Sequence, residues 1–252
     1  MEQLLIWTEL LLPEFWMVLA CGLVAGLCRG FSGFGLSALI VTSLTLILLP
    51  SEVVPIALLL EMISSLVMAR MTWSAIHWPL LRWLLIGAAL GVPIGVLILK
   101  FIAPDPLRIA ISLSVLAASL LLFFGRSLVL RETGGRNFSV GLLSGLANGA
   151  ASIGGLPVAI YMMAVALPAE AVRATLNLYF LILDAYGTGA LIFAGLLDLV
   201  TLARTAVLVL PVLLGIWLGN KVFKRSSALH YRYFVLCLLM VLALLGLAKS
   251  LL

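Results

Sequence analysis

Charge is scarce in this sequence. Only 10% of its 252 residues are Asp, Glu, Lys or Arg, against 64% apolar, and mean hydropathy is +1.29. A soluble globular domain carries about 25% charged residues, so this chain could not cover a water-exposed surface. Alternation is lacking as well. A membrane-spanning strand alternates apolar and polar residues over about ten positions. The runs Pro79 to Leu99, Leu107 to Phe124, Leu202 to Asn220 and Tyr233 to Leu247 are apolar on every face. In lipid each backbone N–H and C=O must be satisfied within its own segment, so such runs mean helices. About 20 residues cross a bilayer, and the last of the four needs its flanks to do so.

Other absences remove whole classes of function. No P-loop is present, so active transport would draw on an ion gradient or a partner. The two histidines, His77 and His230, lie near loops without metal-ligand spacing and read as surface residues. No histidine in a predicted span could activate Ser32 or Ser152, which leaves an intramembrane enzyme without a base. Cys21, Cys28 and Cys237 form no CxxC pair and read as inert buried thiols. No Lys or Arg precedes Arg29, while Glu2, Glu9 and Glu14 do, so the N-terminus lacks the basic region of a signal peptide. The net charge of +5 sits in loops between spans and does not indicate nucleic-acid binding. Trp73, Trp78 and Trp83 around one loop read as an interfacial belt.

What is present is a duplication. Gly22, Gly26, Gly30 and Gly35 have the spacing of Gly141, Gly145, Gly149 and Gly154. Leu49-Pro50-Ser51-Glu52 matches Leu167-Pro168-Ala169-Glu170, and Gly91, Gly95, Lys100 and Arg108 match Gly215, Gly219, Lys224 and Arg232. The offset drifts only from 119 through 118 to 124. The expectation is an all-α polytopic membrane protein, a single transmembrane domain over residues 1–252, with a first repeat at 14–125 and a second at 138–250. Each repeat holds a broken Gly-rich helical segment and three transmembrane helices. Those helices are Ser51 to Met71, Pro79 to Lys100 and Pro106 to Phe124, then Ala169 to Gly187, Thr201 to Lys221 and Leu229 to Leu247.

Loop charge decides the orientation of the halves. If each broken segment contributes an even number of crossings, the second half is inverted. One side then collects Arg70, Arg82, Arg126, Arg131, Arg136, Arg173, Lys221, Lys224, Arg225 and Arg232. The other holds Lys100, Arg108, Arg204 and Lys249. A single crossing would split the charges evenly, and the uneven split is the one the positive-inside rule expects. Two inverted repeats follow, with the Gly125 to Asn137 linker cytoplasmic. Inverted repeats with broken helices are a recurrent plan of secondary transporters, with substrate bound near the midplane and one half rocking against the other.

The breaks are Arg29 to Gly35 and Asn148 to Gly155. Glycines permit tight turns, and a helix restarting after the turn offers free N–H groups to an anion. Ser32, Asn148 and Ser152 add neutral donors. Glycine at every fourth position also lets membrane helices pack closely. Packing is expected at Gly22, Gly26, Gly141 and Gly145, and the break at Gly33, Gly35, Gly154 and Gly155.

The stretch Gly149-Ala150-Ala151-Ser152-Ile153-Gly154-Gly155-Leu156-Pro157-Val158, then Leu167-Pro168-Ala169-Glu170 and Arg173-Ala174-Thr175, resembles the second-repeat signature of the sulfite exporter TauE/SafE family. The first break and the Leu-Pro-Ser-Glu after it are similar to that family's first signature, although the break here reads GFSGFG. The resemblance implies a bacterial inner-membrane permease for small sulfur-containing anions such as sulfite and organosulfonates. It also implies a gating role for Arg173.

Ionisable groups within spans are functional candidates. Glu61 could couple to protons, pair with a basic residue, or bond as a neutral acid to a neighbouring helix. Asp184, with Asn177 on the same helical face and Tyr179 and Tyr186 nearby, fits a proton relay or polar packing. Arg29 could draw an anion to the first break or snorkel to an interface. The reading is therefore a multi-pass cell inner membrane transporter, expected to export a small anionic substrate, with protons as the expected coupling ion. Substrate would meet Arg29, Ser32, Gly33, Gly35, Asn148, Ser152, Gly154 and Gly155, and Glu61, Asp184, Arg173 and Asn177 would couple or gate. No cofactor is called for, the lipid bilayer is the surrounding partner, and a homo-oligomer is left open. The competing classes are a non-transporting assembly or scaffold protein, an intramembrane enzyme and a channel.

Overall fold

The computed structural model describes residues 8–9, 11–69, 75–124, 130–165, 167–223 and 228–251, and within these leaves out the side chains of 32, 69, 169, 222–223, 228–235 and 250–251. Ten helices run through the described residues. The first five are α1 (Leu12–Ser32), α2 (Leu36–Leu44), α3 (Pro50–Ala69), α4 (Trp78–Phe101) and α5 (Pro104–Phe124). The second five are α6 (Gly134–Ala151), α7 (Gly155–Ala164), α8 (Ala169–Ala194), α9 (Leu199–Phe223) and α10 (Ala228–Leu251). Six of them (α1, α3, α4, α5, α8 and α9) are long and apolar enough to cross a membrane.

Helix starts follow local chemistry. Proline opens α3 and α5, as expected where a missing N–H costs nothing. In α1, Glu14 reaches back to the Leu11 N–H at 2.9 Å, and before α3 Glu52 does the same for Leu49 at 3.0 Å. Thr133 caps α6 by accepting from the Arg136 N–H.

The broken segments differ from expectation in proportion. Neither begins with a short stretch: α1 and α6 are 21 and 18 residues long and run on to Ser32 and Ala151, so only three residues separate each from the short helix that follows. The helix expected to stop at Gly187 continues to Ala194. The glycines expected to pack are covered by a partner helix, and so are Gly30 and Gly149, which lay inside the expected breaks. A Cβ at Gly26 or Gly30 would collide with the carbonyl oxygens of Val212 and Ile216 on α9, and one at Gly141 or Gly145 with those of Leu84 and Ala88 on α4. The partners return the contact through Gly215 and Gly219 on α9 and Gly87, Gly91 and Gly95 on α4. Small residues facing one another let membrane helices close to backbone distance, which outweighs glycine's low helix propensity.

These two seams are the most extensive helix contacts in the molecule, and both join one half to the other. Exchanging the halves exchanges the seams: α1 on α9 becomes α6 on α4. The same exchange relates α4·α8 to α9·α3 and α10·α2 to α5·α7. Trp78 and Trp83 are exposed, as a belt requires, while Trp73 lies outside the described residues. Of the cysteines, Cys28 is buried and Cys21 half-buried, but Cys237 is exposed on α10, where the apolar surface belongs to lipid.

Candidate functional site

The first break is short because two glycines take it. Gly33 (φ 81°) ends α1 and Gly35 (φ 94°) starts α2, both in the left-handed region that costs a side chain-bearing residue about 1–2 kcal/mol. The second break is built otherwise. Its left-handed residue is Ser152 (φ 54°), while Gly154 has ordinary φ and Gly155 already belongs to α7. Gly154 lies against the Ser144 carbonyl and Asn148, and Gly155 lies under the Phe180 ring, so both are glycine for want of space.

One turn before the first break, Arg29 is wholly buried. It does not snorkel. Its Nη1 meets Glu61 Oε1 at 3.0 Å and donates to the Gly33 carbonyl. Its Nη2 donates to Ser65 Oγ at 2.8 Å and to Asn177 Oδ1 at 3.4 Å, and the guanidinium lies 4.7 Å over the Phe180 ring. Of the readings open for Glu61, the structure shows the basic partner. The other Glu61 oxygen accepts the Ser37 N–H at 3.1 Å, in the first turn of α2. Glu61 thus sits between a guanidinium and a helix N-terminus, where an anion is stabilised by charge and dipole together.

The second half contributes a matching arrangement. Applying the repeat offset of 119 pairs Arg29 with Asn148 and Gly33 with Ser152. Asn148 donates to Asp184 Oδ1 at 2.9 Å, where Arg29 forms an ion pair with Glu61. Asp184 is wholly buried and lies within electrostatic reach of both Glu61 and Arg29. Asn177, seven residues before it on α8, ties back to the Ser65 carbonyl at 3.1 Å. α1, α3, α6 and α8 therefore converge on one polar cluster inside an apolar bundle. Tyr179 supports it by donating to Ser144 Oγ at 2.7 Å, which in turn donates to the Gly154 carbonyl at 2.6 Å. Tyr186 turns away, to the Ala89 carbonyl at an exposed position.

Arg173, half-buried, approaches the first break from α8. Its Nη2 donates to the Gly30 carbonyl at 3.3 Å and to Asn220 Oδ1 at 3.4 Å, and its side chain passes Gly33. Two guanidiniums thus flank Gly33. The Ser32 side chain lies outside the described residues. His77 faces Glu132 of the linker across 3.7 Å, and the side chain of His230 is not among the described ones.

Sequence reasoning missed Ser65 and Phe180. Ser65 follows Glu61 by four residues, so the helical face that carries the carboxylate was the available signal. Phe180 had none.

No curated protein and no solved structure matches the chain. Residues 18–245 match the family described as sulfite exporter TauE/SafE. The match covers nearly the whole chain, both breaks and the convergent cluster included. Its members are membrane transporters of sulfite-type anions and not enzymes, which sets aside the scaffold and enzyme readings. The chain, a multi-pass helical membrane protein, belongs to the sulfite exporter TauE/SafE family.

Proposed function

We propose that this protein exports sulfite or a short organosulfonate across the bacterial inner membrane, with a proton taken up at Glu61. The observation that carries the reading is the seat of the Glu61 carboxylate, between Arg29 and the first turn of α2. A buried guanidinium and a helix N-terminus are the donors a small oxyanion needs. In the described state Glu61 holds that seat. Protonation removes its charge, releases Arg29 and lets a substrate monoanion take its place, so anion and proton cross together and export of the pair is driven by the anion's own outward gradient. Arg173 stands on the far side of Gly33 and gates the approach, and Asn177, held to Ser65, positions Arg29.

Inverted repeats at 14–125 and 138–250 are part of the same proposal. Support comes from the four cations assigned to the outer face. Arg108 donates to the Thr45 and Leu48 carbonyls at 3.1 Å each, Lys249 to the Leu46 carbonyl, and Arg204 meets Glu52 at 3.2 Å. These gather where α2 turns into α3, and Lys100 donates to the Ala194 carbonyl at the end of α8. All four partners fit helix ends that the inverted arrangement puts on that face. The Gly seams join the halves, so the bodies that move are α1 with α9 and α4 with α6, rather than one half against the other.

The test is flux of radiolabelled sulfite and a short organosulfonate in proteoliposomes, with and without an imposed pH gradient, against sulfate, phosphate and chloride as competitors. Saturable flux that follows the gradient in the native protein and loses that response in Glu61→Gln supports the reading. Flux indifferent to the gradient removes the proton, and no flux from folded protein removes the sulfur anion.

A further inference from the structure

The second break has a negative end with no cation to match it. In the first half Arg29 lies between the carbonyl of the break residue, Gly33, and a buried carboxylate. At the equivalent position of the second half stands Asn148, which is neutral. Its amide satisfies one oxygen of Asp184, and the other, Oδ2, has no partner among the described residues. Nor do two hydroxyls nearby, Ser152 Oγ and Thr188 Oγ1, although both are buried.

The register of the helices carries these residues toward the same end of the α6–α8 pair. Tyr179 bonds Ser144 and Asp184 bonds Asn148, so α6 and α8 advance side by side in one direction. Gly187 confirms it by lying against the Asn148 amide. One turn beyond Asp184 on α8 stands Thr188, and just past the end of α6 stands Ser152, its left-handed cap. This is also where α6 stops, with the Gly149, Ala150 and Ala151 carbonyls receiving no backbone N–H among the described residues. The C-terminal end of a helix carries the negative pole of its dipole.

We infer that the end of α6 and the Asp184–Thr188 turn of α8 form a binding site for a monovalent alkali cation, with sodium its ligand. The donor set is oxygen throughout: a carboxylate, two hydroxyls and terminal helix carbonyls, the ligands hard cations take and the kind of half-helix end at which transporters hold sodium. Charge selects a monovalent ion. Arg29 already balances Glu61, so a bound cation would have only the Asp184 carboxylate to neutralise, the charge of one monovalent ion. Tyr179 is the other titratable group facing Asp184, and it is already engaged with Ser144. As a coupling ion this cation rests on the transport reading above, but its binding does not.

The experiment is thermal unfolding of the purified protein in detergent, without any transported anion, titrated with sodium gluconate at constant pH. Ionic strength is held fixed with N-methylglucamine gluconate. A saturable sodium-dependent rise in Tm is expected, with the apparent affinity weakened at least tenfold in Asp184→Asn, Ser152→Gly and Thr188→Val. Ser152→Gly guards against misfolding, because glycine suits the backbone at that φ. A Tm that ignores sodium overturns the site, as does a sodium response unchanged in Ser152→Gly and Thr188→Val. Sulfite flux separates the two proposals. Flux without a sodium response defeats only the cation site, and a sodium response without flux of any sulfur anion defeats only the anion reading.

Discussion

Replacing Glu61 by Gln leaves Arg29 buried, charged and without its carboxylate. Removing one partner of a buried ion pair costs about 3–5 kcal/mol, since the remaining charge is stranded away from water. The lower end applies here for two reasons. Gln keeps an acceptor for the Ser37 N–H, a bond worth about 1 kcal/mol, and Asp184 stays within reach of the guanidinium. A loss of about 3 kcal/mol shifts Tm by roughly 6–12 °C for a chain of this size. Arg29→Gln should lose a similar amount, because Glu61 is then the stranded charge. The double variant removes both charges, so its loss should fall short of the sum by about 2 kcal/mol. Sulfite should raise the Tm of Glu61→Gln more than that of the native protein, since an oxyanion can take the carboxylate's seat. Thermal unfolding in detergent reads all four proteins. A Glu61→Gln Tm within about 2 °C of native, or single losses that simply add, would refute the account of Arg29 and Glu61 as a mutually dependent pair.

Four further outcomes follow from the packing and the helix ends. Gly30→Ala drives a Cβ into the Ile216 backbone and should destabilise by about 1–3 kcal/mol or more. Gly189→Ala on α8, which meets nothing within 4 Å, should be neutral or stabilising by up to about 1 kcal/mol, and comparative unfolding checks both. Asp198 lies just before α9 and its Oδ1 accepts the Thr201 N–H at 2.7 Å, bonds that hold its carboxyl below the usual carboxylate range. Its contribution is therefore present above the unfolded carboxylate pKa and lost as pH falls through the lower folded value. Asp198→Ala should cost about 1 kcal/mol at neutral pH and nothing in acid, as measured by Tm against pH. Ser152→Gly should keep or raise the Tm in the absence of sodium, since it relieves a left-handed serine.

The helical class was legible because lipid leaves few options for an apolar run, and the two carboxylates stood out because charge is rare in a span. The extent of α1 and α6 was not. Glycine every fourth residue reads as packing or as a break, and only the arrival of α9 or α4 shows that packing extends through Gly30 and Gly149. The fate of Arg29 was equally non-local, since burial or snorkelling depended on a carboxylate 32 positions away on another helix. Ser152 illustrates a further limit. Serine seldom takes positive φ, and only its alignment with Gly33 through the repeat marks it as a helix-ending residue. By contrast, Ser65 was readable in principle, one turn beyond the Glu61 carboxylate.

The seam between α1 and α9 also sets the order in which the molecule can assemble. α1 leaves the ribosome with a glycine-lined face whose partner begins at Leu199, nearly the whole chain later. At about 5–20 residues per second, synthesis of that interval takes roughly 10–40 s. During that time the first helix lies in the bilayer beside segments that are not its final neighbours. α6, whose partner α4 is already made, can dock as it emerges. Biogenesis is therefore asymmetric even though the finished architecture is nearly symmetric, and the last helices inserted complete the packing of the first.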